Sequence, residues 1–182
     1  MTQERTGAWM QTRHGKAWPS DPRPGDFMIE DIAHALANIC RFGGHTRQFY
    51  SVAQHSILVS RDIGRTQGPV YALAGLLHDA AEAYLGDVVR PIKYEPFMEP
   101  YRELDKNTTA MIFGDYGVPL YTWGAVPVAD DRVLAQEAFD LMGDPDWARG
   151  MDRTGHRITP VPPLEARVLF LEEFQRLGYM LR

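Results

Sequence analysis

The stretch "YALAGLLHDAAEAYLGD" (71–87) constrains the fold more than any other part of the chain. Its first seven residues are apolar or small and read as a helix buried on most sides. His78, Asp79, Glu82 and Asp87 follow directly, with the phenol of Tyr84 among them. A buried rod cannot end in uncompensated carboxylates, because an unpaired ion in the interior costs on the order of several kcal/mol. Either the helix breaks to the surface here, or partners are buried with the acids. Neighbours on a helix point about 100° apart, yet an imidazole and a carboxylate of different lengths can still reach one point from two sides. Glu82, four residues after His78 and three after Asp79, lies on the same side of that helix. An amphipathic end with its acids in water would account for Glu82 and Asp87 alone.

The rest of the chain supplies candidate partners. His55 sits among Val52, Ala53, Ile57, Leu58 and Val59, a setting that reads as interior. Taken alone, it is a neutral core histidine bonded to a carbonyl. Asp130 stands near the start of a later helix; alone, it is an N-terminal acid favoured by the helix dipole. Asp131 is adjacent, but Asp130 shares a face with Leu134, Glu137 and Leu141. Together His55, His78, Asp79 and Asp130 form a set of two nitrogens and two oxygens. That set suits a borderline divalent ion such as Zn, Co or Mn better than calcium. The wide spacing excludes a zinc finger and fits a site assembled between helices.

The remaining pattern is that of one mostly helical domain spanning 1–182. Residues 7–18 read as a hairpin, with Trp9 and Trp18 flanking a turn at His14-Gly15. Asp26 or Glu30 opens a helix through 29–42, stopped by Gly43-Gly44. Its buried face carries Ile29, Ile32, Ala33, Leu36, Ala37 and Ile39. Ser51 caps a second helix over 52–63. Residues 64–69 form a loop, and Pro69 starts a third helix that runs unbroken to 87. Prolines break up 89–100. Helices follow over 101–117 and 125–143, then a long irregular connection. A last amphipathic helix spans 163–178, with Gly178 past its end. Its residues Val168, Leu169, Leu171 and Phe174 serve the core or a contact with a second copy. The loops at 87–100 and 143–160 are where binding surface and mobility are expected.

Bulk composition narrows the classes. With 182 residues, 45% hydrophobic and 24% charged, the chain suits a globular domain with its own core. A formal charge of −5 argues against a protein that coats a nucleic-acid polymer. The single cysteine, Cys40, rules out a disulfide framework within the chain. The absence of an apolar signal core and of about 18 consecutive apolar residues leads us to expect a cytoplasmic protein without a membrane partner.

The segments "RFGGHTRQFYSVAQHS", "LLHDAAEAYLGDV" and "VADDRVLAQE" resemble the motifs of the HD-domain metal-dependent phosphohydrolases. The likeness is to the phage and bacterial branch similar to 5'-deoxynucleotidases and deoxynucleoside triphosphohydrolases, and it spans about residues 28–142. The family pattern H…HD…D falls on His55, His78, Asp79 and Asp130. The resemblance implies an all-α HD-domain bundle, here with a small N-terminal β-hairpin. It implies one catalytic divalent ion, Zn, Co or Mn, with Mg as a second ion accompanying the nucleotide. It places the family's following acids on Glu82 and Asp87. Its phosphate-binding arginine falls on Arg41, with Arg47 as the substitute. Phe42 would stack on the nucleoside, and His45 would line the phosphate pocket.

The implied activity is hydrolysis of a deoxynucleotide, dNMP or dNTP, with dATP as one instance. Arg41 or Arg47 would grip phosphate oxygens through a bidentate fork. Glu82 would orient or deprotonate the attacking water, and Asp87 would serve the leaving oxygen. Lys16, Arg23, Arg90 and Lys93 lie near loops and are available to further phosphates. A homo-oligomer is also implied. The alternatives are a non-catalytic nucleotide-binding or regulatory protein of the same fold, and a di-iron oxygenase. The second of these needs more histidines near the pair than His34 and His45 provide.

Overall fold

A computed structural model describes residues 4–181; residues 1–3 and 182 of the expected domain lie outside the described residues. The architecture is helical, with a two-stranded antiparallel hairpin at the start. Strands β1 (Met10–Gln11) and β2 (Lys16–Ala17) are shorter than the expected hairpin, and pair Met10 with Ala17. Trp9 and Trp18 flank the strands rather than pairing. Lys16 instead lies 4.3 Å from the Trp9 ring, and His14 reaches the buried Asp31 at 2.8 Å.

Helix α1 (Ile29–Asn38) buries Ile32, Ala33, Leu36 and Ala37 as the periodicity predicts. Neither Asp26 nor Glu30 caps it: Met28 occupies the cap position, and Asp26 is taken by Arg5. The helix also ends four residues before the expected stop. At Ile39 the chain turns extended and pairs with the residues before the next helix, Cys40 opposite Ser51. This pairing competes successfully with helix continuation because it satisfies Ile39 O with Val52 N and Tyr50 O with Arg41 N. A 3-10 turn, Arg41–Gly44, follows, with Phe42 at φ 56° and Gly43 at φ 58°. That left-handed backbone is uncommon for a phenylalanine.

Ser51 caps α2 (Val52–Gln67), its hydroxyl accepting from Gln54 N. The helix continues through the expected loop to Gln67 and ends where Gly68 takes φ 90°. Pro69 starts α3 (Pro69–Leu77), as expected. The anticipated unbroken helix to 87 does not form. After Leu77 the backbone tightens into i→i+3 bonds, Ala80 N to Leu77 O and Glu82 N to Asp79 O. It then resumes as α4 (Glu82–Leu85). Tight turns bring residues three apart almost into eclipse, so Asp79 and Glu82 face the same way.

Short α5 (Arg90–Lys93) and α6 (Glu99–Asp115) precede α7 (Val126–Glu137), which continues as a π-helical turn, Ala138–Met142. Helix α8 (Pro163–Met180) passes through Gly178 rather than stopping before it. Its buried stripe is Ala166, Phe170, Glu173 and Leu177, while Leu169, Leu171 and Phe174 pack at the margin and Val168 is exposed. Helices α1, α2, α3, α7 and α8 enclose the main apolar core. Two helices approach closely because Gly75 of α3 lies on the Ser60 backbone of α2. The connection between α7 and α8 is held down by side chains. Gln54 bonds both Thr159 O and Val161 N, and Asp140 accepts from Ile158 N. Among the described residues, no helix is long and apolar enough to cross a membrane.

Candidate metal centre

Three helices converge on one buried point. Helix α2 delivers His55, fully buried, and the turn ending α3 delivers His78 and Asp79. Their donor atoms all lie within 4.8 Å of one another. His55 Nε2 is 3.3 Å from His78 Nε2, and Asp79 Oδ2 is 3.5 Å and 3.2 Å from the two nitrogens. From α7, Asp130 Oδ1 comes within 3.1 Å of His55 Nε2.

The partners of the far ring nitrogens decide what this arrangement can hold. His78 Nδ1 lies 2.8 Å from Gly75 O, and a carbonyl oxygen only accepts, so Nδ1 carries the hydrogen. His55 Nδ1 lies 2.7 Å from the Glu137 carboxylate and donates likewise. In the neutral rings both Nε2 lone pairs therefore face each other and the Asp79 carboxylate. A cation between them relieves that opposition. Two imidazole nitrogens and a carboxylate, with a second carboxylate beside them, fit a borderline divalent metal. A proton is the other candidate. Burial and Arg41 work to lower the pKa of His55, but Glu137 and Asp130 outweigh them and raise it to about 9. Asp79 is held below the usual carboxylate range: burial opposes this, and the two histidines prevail. Asp130 is depressed in the same way, against burial, by His55, His78 and Arg41.

Adjacent aspartates on α7 are separated by direction. Asp130 turns inward, while Asp131 stays half exposed. Arg90 spans the pair, donating to Asp130 Oδ2 at 2.7 Å and Asp131 Oδ1 at 2.9 Å. It thereby leaves Asp130 Oδ1 to the histidine side.

The centre forms the floor of a cleft of about 570 Å³. Arg41, Phe42, His45, Glu82 and Asp87 all line it, as does Lys93. Arg41 is nearly buried between Glu137, at 3.1 Å, and Asp79, at 3.7 Å. Phe42 lies with its ring 5.2 Å from that guanidinium. Glu82 is buried, one oxygen 3.8 Å from Lys93 Nζ and the other without a partner. Burial, then Asp79 and Asp87, raise its pKa well above the usual carboxylate range. Asp87 is raised chiefly by its own burial. The same cleft is also lined by Val89, Tyr94, Leu134, Met142, Trp147 and Met151.

Other expected positions fall elsewhere. Arg47 lines a different cleft, its guanidinium laid against Gly143. Lys16 stacks on Trp9, and Arg23 pairs with Asp21; neither lines the site. Tyr84 packs edge-on against Phe27, 5.4 Å between centroids, in keeping with a packing role.

Two residues with no assigned part prove central. Glu137 is fully buried and accepts from His55, from Tyr50 OH at 2.8 Å and from Arg41. Its pKa is lowered because Arg41 and His55 overcome the effect of burial. The available signal was its place seven residues after Asp130, two turns along the same face. Tyr50, buried just before the capping serine, carried no periodic signal.

No family model matches the chain. It is 35% identical over 177 residues to the uncharacterized protein YfdR of Escherichia coli K12, covering 94% of this chain and 96% of that protein. It is 42% identical over 186 aligned positions to an uncharacterized protein of Rhodobacter capsulatus, covering 90% of this chain and 92% of the relative. Likeness of this degree over nearly the whole of each chain is family membership: the chain belongs to the family of YfdR and its Rhodobacter capsulatus relative.

Proposed function

We propose that the chain is a metal-dependent phosphohydrolase acting on deoxynucleotides, dNMP or dNTP, with dATP among the candidates. The observation that carries this reading is the pair of facing Nε2 atoms beside Asp79 at the floor of the cleft. His55, His78, Asp79 and Asp130 would hold the ion. When bound, a divalent ion lowers the pKa of water and draws charge from a phosphoryl oxygen.

The chain's own residues account for the remaining requirements. Arg41, held by Glu137 beside the donor set, would take a phosphate oxygen with its remaining N–H groups. Lys93 and Arg90 add positive charge at the same rim. Glu82 has a raised proton affinity, which suits it to take a proton from attacking water and to return one to the leaving oxygen. Asp87 lies beside it and orders that exchange. The apolar residues lining the same cleft, together with Phe42, suit a flat base and sugar. A substrate that carries both a phosphate and a base matches this mix of charged and apolar lining.

The test is a panel of the common deoxynucleoside mono- and triphosphates with Mn, Co, Zn and Mg, reading phosphate, pyrophosphate and tripolyphosphate released. We expect hydrolysis of at least one nucleotide, abolished together with metal binding in Asp79→Asn. A metal-loaded protein that hydrolyses none of them would overturn the proposal.

A further inference from the structure

A second cleft, of about 720 Å³, opens where Arg47, the Ala138–Met142 turn and the 155–160 segment meet. It shares no lining residue with the cleft over the metal centre. Two arginines line it, Arg47 and Arg157. Neither makes a side-chain hydrogen bond or ion pair with any described residue. The acid in the cleft, Asp140, pairs with neither: its Oδ2 accepts from Ile158 N and Gln136 Nε2. In a chain of net charge −5, two open guanidinium forks facing one concavity call for an anion. An aromatic ring completes the wall. Phe139 is 45% exposed, and the Arg153 guanidinium sits 4.2 Å from its centroid.

We propose that this cleft is a second ligand site, separate from the metal centre, for a phosphate-bearing molecule with a flat ring. Arg47 and Arg157 take the phosphate oxygens, and Phe139 takes the ring. The backbone around it is fixed. Arg47 N donates to Leu141 O, and Gln136 accepts from Gly155 N, so the loops that carry the arginines are tied to α7 and its π-helical extension. The site is thus largely formed before a ligand arrives.

The experiment titrates ADP, and separately tripolyphosphate, into the full chain by calorimetry. The proteins are wild type, Asp79→Asn, and each of these with Arg47→Glu plus Arg157→Glu. Both arginines are exposed, and thermal melts confirm that the variants fold. We expect Asp79→Asn to retain one equivalent of ADP. The double reversal should weaken that binding at least tenfold, and Phe139→Ala should remove the advantage of ADP over tripolyphosphate. As a charge control, Arg13→Glu with Arg65→Glu, at exposed positions outside both clefts, should leave binding unchanged. Absence of saturable binding in Asp79→Asn would overturn the proposal. So would binding that survives the double reversal, or an equal loss in the control. Failure of the hydrolysis panel bears on the first cleft alone: a wild type that hydrolyses nothing but loses its ADP on double reversal would still support this site.

Discussion

Replacing Glu137 by glutamine tests the architecture of the centre without changing its shape. Glu137 Oε1 accepts from His55 Nδ1 and Tyr50 OH, and Oε2 accepts from Arg41. A glutamine has one acceptor and one donor group, so one side must fail. With its oxygen toward His55, its NH2 meets the Arg41 donor across about 3.1 Å. With its oxygen toward Arg41, the NH2 forces His55 into the other tautomer, with a hydrogen on Nε2 where a metal would bind. Losing one partner of a buried ion pair costs about 3–5 kcal/mol. Losing the bond that orients a ligating histidine typically costs about 10–100-fold in metal affinity. The sign with pH follows from the depressed pKa of Glu137. Its contribution is fully present above the ordinary carboxylate range and is lost as pH falls through the depressed value. Glu137→Gln should therefore lose about 3 kcal/mol by urea melts at pH 7, and the loss should shrink in acid. Calorimetry with Mn or Zn should show the weakened metal binding in the same protein. Wild-type stability and wild-type metal affinity together would refute the role assigned to Glu137.

Further expectations follow from the same geometry. Glu82→Gln should keep its metal and fold but lower turnover on the order of 10²–10⁴-fold, read by metal content and steady-state rates; loss of metal would make Glu82 structural. Gly75→Ala would set a Cβ 3.1 Å from the Ser60 backbone and 3.0 Å from Ile63. It should prise α3 from α2, costing about 1–3 kcal/mol in a melt and weakening metal binding through His78. An unchanged melt would show that the two helices are free to part. In chelator-treated protein the raised pKa of His55, about 9, stabilises the fold fully below the ordinary value near 6.5, and this is lost as pH rises through about 9. Metal binding at pH 7 should therefore release about one proton, seen as a dependence of the binding heat on buffer ionisation; no such dependence would refute the protonated state.

The polar residues in apolar surroundings were the legible part of this site. His55 stands within a buried helix, and the acids of 78–87 follow an apolar run, so their burial could be read from context. Asp130 could be separated from Asp131 by the face it shares with Leu134. Glu137 was not legible as a site residue because a glutamate in a helix reads as a solvated face. Its burial is tolerable because His55, Tyr50 and the buried Arg41, all more than eighty residues away in the chain, meet it there. The break after Leu77 was also hidden. Residues 78–85 contain no glycine or proline, and Ala80, Ala81, Glu82 and Ala83 are good helix formers, so local preference gave no sign of the tight turn. The early end of α1 was hidden too, since its competitor is a bridge to Ser51. Arg41 and Arg47 differ by six positions, and the loop between them turns through left-handed backbone at Phe42 and Gly43. No periodicity could say which arginine would face the metal centre.

The charges of the centre explain why so many acids follow an apolar run. Asp79, Asp130 and Glu137 are all held ionised by their surroundings. The one nearly buried guanidinium among them is Arg41; Arg90 reaches Asp130 from a half-exposed position. With neutral histidines the interior retains an excess of negative charge, and the facing Nε2 lone pairs add to it. A proton on His55 reduces that excess by one, whereas a divalent cation reduces it by two and meets both lone pairs at once. Glu82 lies outside this balance. It has no strong partner, and its own burial first, then Asp79 and Asp87, raises its affinity for a proton. The acids therefore divide by charge state. Those beside the histidines are held anionic, and the next one along the cleft, Glu82, is the one whose affinity for a proton is raised.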